Sequence, residues 1–275
     1  MTEKQNRPDL KETQRKTAPD VKLSERLKMV ADLAGSGIET LADVGCDHGW
    51  LGISLLIEGK ADRVIGMDLR KGPLSHAEEN AKLFGLDGAC FETRLSDGLD
   101  ELSPGEADVI VMAGIGGVLM CVLLTRGLEV AKAAKRLVLS PQSHIESVRE
   151  FLVSEGFEIT DERMCRENGK YYTAMCVSHV SERQSPQNVR NRKAGMAAGK
   201  CEAKAWALTD EELFFGPVLI KKSEPLFYEY VRAMHGKAKK RIGEINGKDP
   251  EKEEYFRRLL VSAEKILSKL EKDCV

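Results

Sequence analysis

Short apolar runs and longer amphipathic stretches alternate along the first two thirds of the chain. "LSERLKMVADLA" sets Leu23, Leu27 and Val30 at helical spacing behind Ser24, a residue suited to an N-cap, and predicts a first helix. Apolar runs at Leu41–Val44, Arg63–Leu69, Ala89–Leu95, Ala107–Gly114 and Arg136–Pro141 have the length and the Val/Ile content of buried strands. Helical stretches at Leu51–Glu58, Pro73–Phe84, Val118–Ala134 and Ile145–Glu155 separate them. This alternation predicts an α/β domain, a parallel sheet with helices on both faces.

Two further strands follow, "FEITDERMC" and "KYYTAMCVSHV", joined by "RENGK" with its Asn168-Gly169 pair, a hairpin signal. A parallel sheet finished by an antiparallel hairpin outlines a Rossmann-like class I methyltransferase sheet, whereas a dehydrogenase domain more often adds a sixth parallel strand. From Ser181 to Ala207 the chain turns polar and basic, which predicts a flexible insertion. Beyond it, Phe227, Tyr230, Val231, Met234, Ile242 and Ile245, then Phe256, Leu259, Ala263, Ile266 and Leu270, recur at helical spacings on either side of "GEINGKDPE". Two amphipathic helices folding back as a hairpin or short coiled coil are expected. The expected division is a disordered leader at 1–20, an α/β domain at 21–222 and a helical hairpin at 223–275.

Composition narrows the function. Apolar residues are 42% and charged residues 31% of 275, and the formal net charge is -2, so any polyanion must meet basic residues gathered locally. No apolar run approaches the roughly 18 to 20 residues of a membrane span, and the charged N-terminus lacks the core of a secretory signal. Seven cysteines are scattered without metal-ligand spacing; reduced thiols, no metal site and a cytoplasmic location are expected.

The chemistry gathers at the strand ends. A dinucleotide fingerprint needs G-x-G-x-x-G, but here the first turn reads Asp43-Val44-Gly45-Cys46-Asp47-His48-Gly49. Asp47 stands at the second glycine, where its carboxylate would repel a phosphate and its Cβ would hold the backbone away. A cationic ligand such as S-adenosylmethionine, with an ammonium and a sulfonium, suits a carboxylate there. Asp68, 23 residues after Gly45 and followed by Leu69, ends the second strand where an acid accepts from ribose hydroxyls. Asp47 could instead cap the following helix, and Asp43 could cap a neighbouring loop. His48 could donate to the cofactor carboxylate or pack against Trp50.

Past the third strand, "RLSDGLDEL" offers Asp97, Gly98 and Leu99 as an acceptor and amides for an adenine ring, or as a plain Asp-Gly turn. "VMAGIGG" puts Ala113, Gly114 and the residues to Gly117 after the fourth strand, either as space for a flat substrate or as a loose helix start.

With these segments in view, the chain resembles the bacterial tRNA adenine-22 N1-methyltransferase family. "LSERLKMVADL", "LADVGCDHGWL", "RLSDGLDEL", "ADVIVMAGIGG", "LVLSPQSHIESVREFL", "ENGKYYTAM" and "FFGPVLIKK" carry the likeness, in order, from Leu23 to Lys222. The polar leader and the basic insertion depart from the family pattern. The resemblance implies that the Gly45–Gly49 turn and Asp68 hold S-adenosylmethionine, that Asp97 lies at the active site, and that tRNA is the substrate. Asp97 would either stabilise charge on the target adenine or anchor the cofactor adenine.

Arg183, Arg190, Arg192, Lys193, Lys200 and Lys204 of the insertion, and Arg232, Lys237, Lys239, Lys240 and Arg241 of the tail, are candidate phosphate contacts or plain solvated faces. A monomer is expected, with a dimer through the tail left open. The alternatives are a small-molecule methyltransferase and a non-catalytic RNA- or nucleotide-binding module.

Overall fold

A computed structural model of the chain describes residues 21–86, 88, 90–180 and 207–273. The expected leader and the bulk of the insertion, with its six basic candidates, lie outside the described residues. The chain divides into two compact units. One ends at Ile115 and resumes over Val122–Ser140; the other comprises Gly116–Cys121 and the chain from Pro141 onward.

The first unit holds α1 (Glu25–Ala34), β1 (Ile38–Val44), α2 (Trp50–Ile57), β2 (Ala61–Asp68), α3 (Lys71–Leu83), β3 (Phe91–Leu95) and β4 (Val109–Ala113). It also holds the end of α4 (Gly117–Arg126), then α5 (Leu128–Ala133) and β5 (Arg136–Ser140). As expected, Ser24 caps α1, its hydroxyl accepting from the Leu27 amide at 3.3 Å. β1 pairs in parallel with β2 and β4, β2 with β3, and β4 with β5. Leu41, Ile65, Val111 and Leu139 are fully buried on β1, β2, β4 and β5, which is why these strands read as unbroken apolar runs.

The single helix expected over Val118–Ala134 is instead two, α4 and α5, interrupted at Gly127. A Cβ at Gly127 would lie 2.5 Å from the Leu99 Cβ, so the helix stops where Leu99 buries itself against a bare backbone. The third and fourth strands are shorter than expected, starting at Phe91 and Val109.

The second unit holds the start of α4, then α6 (Ile145–Ser154), β6 (Phe157–Glu167), β7 (Lys170–His179), α7 (Asp210–Phe215), α8 (Pro217–Lys222), α9 (Pro225–Ile245) and α10 (Pro250–Asp273). β6 and β7 form the expected antiparallel hairpin, turning through Asn168 and Gly169 at φ 50° and 76°, the left-handed pair that a two-residue turn requires. Within the first unit the strand order is β3-β2-β1-β4-β5.

Phe214, Phe215 and Leu219 of α7 and α8 share a core with Phe227 and Val231 of α9 and Leu259, Ala263 and Ile266 of α10. A buried ion pair ties this unit together. Arg149 of α6 donates to Glu162 of β6 at 2.9 Å and to the Leu213 carbonyl at 2.7 Å, and Glu162 also accepts from the Val218 amide at 2.9 Å. Gly216, at φ 92°, sits so close that a Cβ would come 2.4 Å from Glu162 Oε2. The Gly-Pro step of "FFGPVL" is therefore a close approach to this carboxylate as well as a break between two helices.

Candidate active site

Every residue singled out from Asp43 to Gly114 lies in the first unit, at or just past the C-terminal ends of β1, β2, β3 and β4. Ligands of open α/β sheets bind outside these strand ends. Three consecutive features shape the turn after β1. The Gly45 and Cys46 amides both donate to the Met67 carbonyl, at 2.7 and 3.0 Å, drawing the turn against the end of β2. Gly45, Asp47 and Gly49 all take left-handed backbone, at φ 77°, 50° and 75°. Gly49 then opens α2, its carbonyl accepting from the Ile53 amide at 3.0 Å.

A Cβ at Gly49 would stand 2.9 Å from the Phe91 ring and 3.0 Å from the Ala77 methyl, so this glycine is fixed by packing. A Cβ at Gly45 would meet nothing within 4 Å, so that side of the turn has room for a ligand. Gly49, not Asp47, is the N-cap of α2, which removes the capping alternative for Asp47 and leaves its carboxylate 66% exposed. His48 does not pack on Trp50. It stacks on His76, ring centroids 5.2 Å apart, while Trp50 sits edge-on to Phe84.

Acidic side chains crowd this turn, with the Arg70 guanidinium 3.5 Å from Asp68 Oδ1. Asp43 is buried at the end of β1, and burial raises its carboxyl to about 7. The buried Cys46 thiol is pushed far above its usual range, first by desolvation and then by the charges of Asp43, Asp68 and Asp47. Asp68 is buried as well; its Oδ1 accepts from the Arg70 amide at 2.9 Å, and its carbonyl accepts from the Ser96 amide at 2.9 Å. Leu69 beside it is 65% exposed, an apolar side chain at the lip of the strand ends.

The segment after β3 is stapled by Ser96, whose hydroxyl donates to the Gly98 carbonyl at 3.0 Å and accepts from the Glu101 amide at 3.2 Å. Gly98, at φ 67°, lies where a Cβ would meet Leu123 at 2.7 Å, and Leu99 is fully buried. Asp97 pairs with Arg126 of α4, Oδ2 to Nη1 at 2.8 Å, and its carbonyl accepts from Nη2 at 3.0 Å; Nη2 also meets Asp100. Arg126 is not among the residues expected from the sequence. Its only local signal is a lone cation at the end of the apolar helix "GVLMCVLLTR".

After β4, Ala113 pairs with Ser140 in the sheet, and Gly114, at φ 86°, donates to the Ser140 carbonyl at 3.3 Å. In the second unit, a Cβ at Gly117 would lie 2.4 Å from the Ser143 carbonyl oxygen, so Gly117 serves backbone packing and not open space.

The donor set suits one ligand class. A cup of carboxylates at a glycine turn with an open side favours a cation and opposes a pyrophosphate, and the acid at the end of β2 offers an acceptor for ribose hydroxyls. S-adenosylmethionine meets both demands. Among the described residues no group of three or more His, Cys, Asp or Glu side chains could hold a metal ion, and no helix is long and apolar enough to cross a membrane. No disulfide joins Cys46, Cys90, Cys121, Cys165 and Cys176.

Comparison with known proteins agrees with the geometry. Residues 23–175 match the family model described as a methyltransferase domain. The tRNA (adenine(22)-N(1))-methyltransferase of Bacillus subtilis is 33% identical over 185 residues, 67% of this chain and 76% of that protein. The crystal structure of Streptococcus pneumoniae Sp1610 in complex with S-adenosyl-L-methionine has a TM-score of 0.71 at 26% identity, covering 90% of this chain and 100% of that one. The B. subtilis m1A22 tRNA methyltransferase TrmK shares the fold, with a TM-score of 0.73 at 24% identity over 90% of this chain and 99% of that one. The chain is therefore a class I methyltransferase in fold, and it belongs to the bacterial tRNA (adenine-22-N1)-methyltransferase family.

Proposed function

We propose that the protein methylates N1 of adenine 22 in tRNA, with S-adenosylmethionine as donor, as the name of its B. subtilis relative describes for that enzyme. The observation that carries the reading is the glycine turn after β1, held against the end of β2 by the Met67 carbonyl and open beside Gly45, with Asp43 and Asp68 buried at the ends of the two strands. When bound, S-adenosylmethionine supplies a methyl group on a positively charged sulfur. Asp43, Gly45, Cys46, Asp47, His48 and Gly49 form the face toward its charged end. Asp68 and Leu69 receive the ribose, Asp97, Gly98 and Leu99 the adenine, and Ala113 and Gly114 border the methyl.

Adenine N1 carries an in-plane lone pair, so it attacks without first losing a proton, and no side-chain nucleophile is needed. The chain's contribution is alignment and exclusion of water, together with acceptance of the positive charge that moves onto the base. Asp97 is the acid we place at the active site, serving either the charge on the target base or the adenine of the cofactor. N1 lies on the Watson-Crick edge, so the base must be unpaired or turned out of its stack.

Backbone phosphates need cations elsewhere. On α9, Arg232, Lys237, Lys239, Lys240 and Arg241 are all exposed, which supports a docking role for the tail. We assign catalysis to 21–222 and tRNA docking to 223–275, acting as a monomer in the cytoplasm, where tRNA is found. The test is incubation with S-adenosylmethionine and unmodified tRNA, digestion, and mass spectrometry for 1-methyladenosine. Its appearance supports the reading; cofactor binding without tRNA methylation overturns the substrate.

A further inference from the structure

Arg126 meets the segment after β3 in a way that stability alone does not explain. The end of α4 and that segment interlock at three places. Leu123 fills the position beside Gly98, Gly127 backs Leu99, and Arg126 reaches Asp97 and Asp100. The two apolar contacts already hold the backbone. What the guanidinium adds is specific: Nη1 takes Asp97 Oδ2 at 2.8 Å while Nη2 takes the carbonyl of the same residue at 3.0 Å. One planar group thus pins both the side chain and the main chain of Asp97 in a fixed fork, where a lysine ammonium would offer only rotatable donors on a flexible stem. Asp97 Oδ1 makes no hydrogen bond among the described residues. The pair is also open to water, Arg126 40% and Asp97 45% exposed, so solvent screens it and it contributes little to folding.

We propose that Arg126 is a positioning residue, clamping Asp97 so that its second carboxylate oxygen is presented to the adenine amino group of S-adenosylmethionine. This rests on the cofactor reading above. It assigns Arg126 no contact with the methyl donor and no part in the transfer itself.

The experiment is calorimetric titration of S-adenosylmethionine into the full-length protein and into Arg126→Met, Arg126→Lys, Asp97→Asn and the Arg126→Met/Asp97→Asn double variant, with a melting curve for each. Arg126→Met and Asp97→Asn should each weaken binding about tenfold, the size expected for one charge-assisted hydrogen bond. The double variant should bind about as weakly as the worse single one, because Arg126 acts only through Asp97. Arg126→Lys should fall between wild type and Arg126→Met, and melting should stay close to wild type. Losses that multiply in the double variant, or wild-type affinity in Arg126→Met, would overturn the proposal. Should Arg126→Met fail to fold, Arg126→Lys decides: a severalfold loss supports the clamp and wild-type binding refutes it. Because the readout is binding, a wild-type protein that binds the cofactor and leaves tRNA unmethylated would remove the proposed substrate without touching this cycle.

Discussion

The Asp97 carboxylate and the Arg126 guanidinium stand 2.8 Å apart, across 29 residues of sequence, so that Asp97 is held by one carboxylate oxygen and keeps the other for a ligand. Replacing Asp97 with alanine should lower turnover more than about a hundredfold, the scale for losing one preorganised electrostatic group. Parallel titration with S-adenosylmethionine separates its two roles. A matching loss of cofactor affinity marks Asp97 as the adenine anchor; intact affinity would assign it to the charge developing on the target base and overturn the purpose proposed for the Arg126 clamp.

Asp43 gives the site a pH dependence with a definite sign. Its folded carboxyl titrates at about 7 against an ordinary 3.8, so between those values the folded chain keeps a proton that the unfolded chain has released. The stability this confers is complete below about pH 4 and lost as pH rises through about 7. A cationic ligand favours the ionised form, so affinity for S-adenosylmethionine should rise between about pH 6 and 8, with a proton released on binding. Titrations across that range in wild type and Asp43→Asn check this. A flat wild-type profile would take Asp43 out of contact with the cofactor's charge.

Arg149 and Glu162 form a pair in which neither partner can be removed cheaply. Both are buried, and between them they satisfy the Leu213 carbonyl and the Val218 amide. Glu162→Ala should destabilise the protein by about 3–5 kcal/mol, because it leaves a buried guanidinium unpaired. Glu162→Gln, which keeps an acceptor for Val218, should cost less. Urea unfolding of the two variants beside wild type gives the comparison.

The tail should be tested by charge and not by truncation. Phe214, Phe215 and Leu219 are buried against α9 and α10, so deleting residues 223–275 would bare a core. Lys237, Lys239 and Lys240 are exposed, and changing them to glutamate leaves that core intact. The triple variant should bind tRNA more weakly, with a shallower dependence of affinity on salt, while its affinity for S-adenosylmethionine stays unchanged. An unaltered salt slope would mark these lysines as a solvated face.

What the sequence made legible was local. Buried strands declare themselves as Val- and Ile-rich runs, the hairpin through Asn168-Gly169, and the ribose acid through its distance from Gly45. What stayed hidden was set by partners distant in the chain. The break at Gly127 depends on Leu99, which arrives from 28 residues upstream. His48 finds His76 and not the neighbouring Trp50 because α3 carries that ring to it. Arg126 looked like one cation among many until the fold brought it to Asp97. Gly216 reads as punctuation, yet its lack of a Cβ makes room for Glu162.

Methylation at adenine 22 is tested by transfer from labelled S-adenosylmethionine to two tRNA transcripts that differ only at position 22, adenine in one and guanine in the other. Label should enter the first, recovered as 1-methyladenosine, and none the second. Equal labelling of both, or bound cofactor with neither transcript labelled, would contradict it.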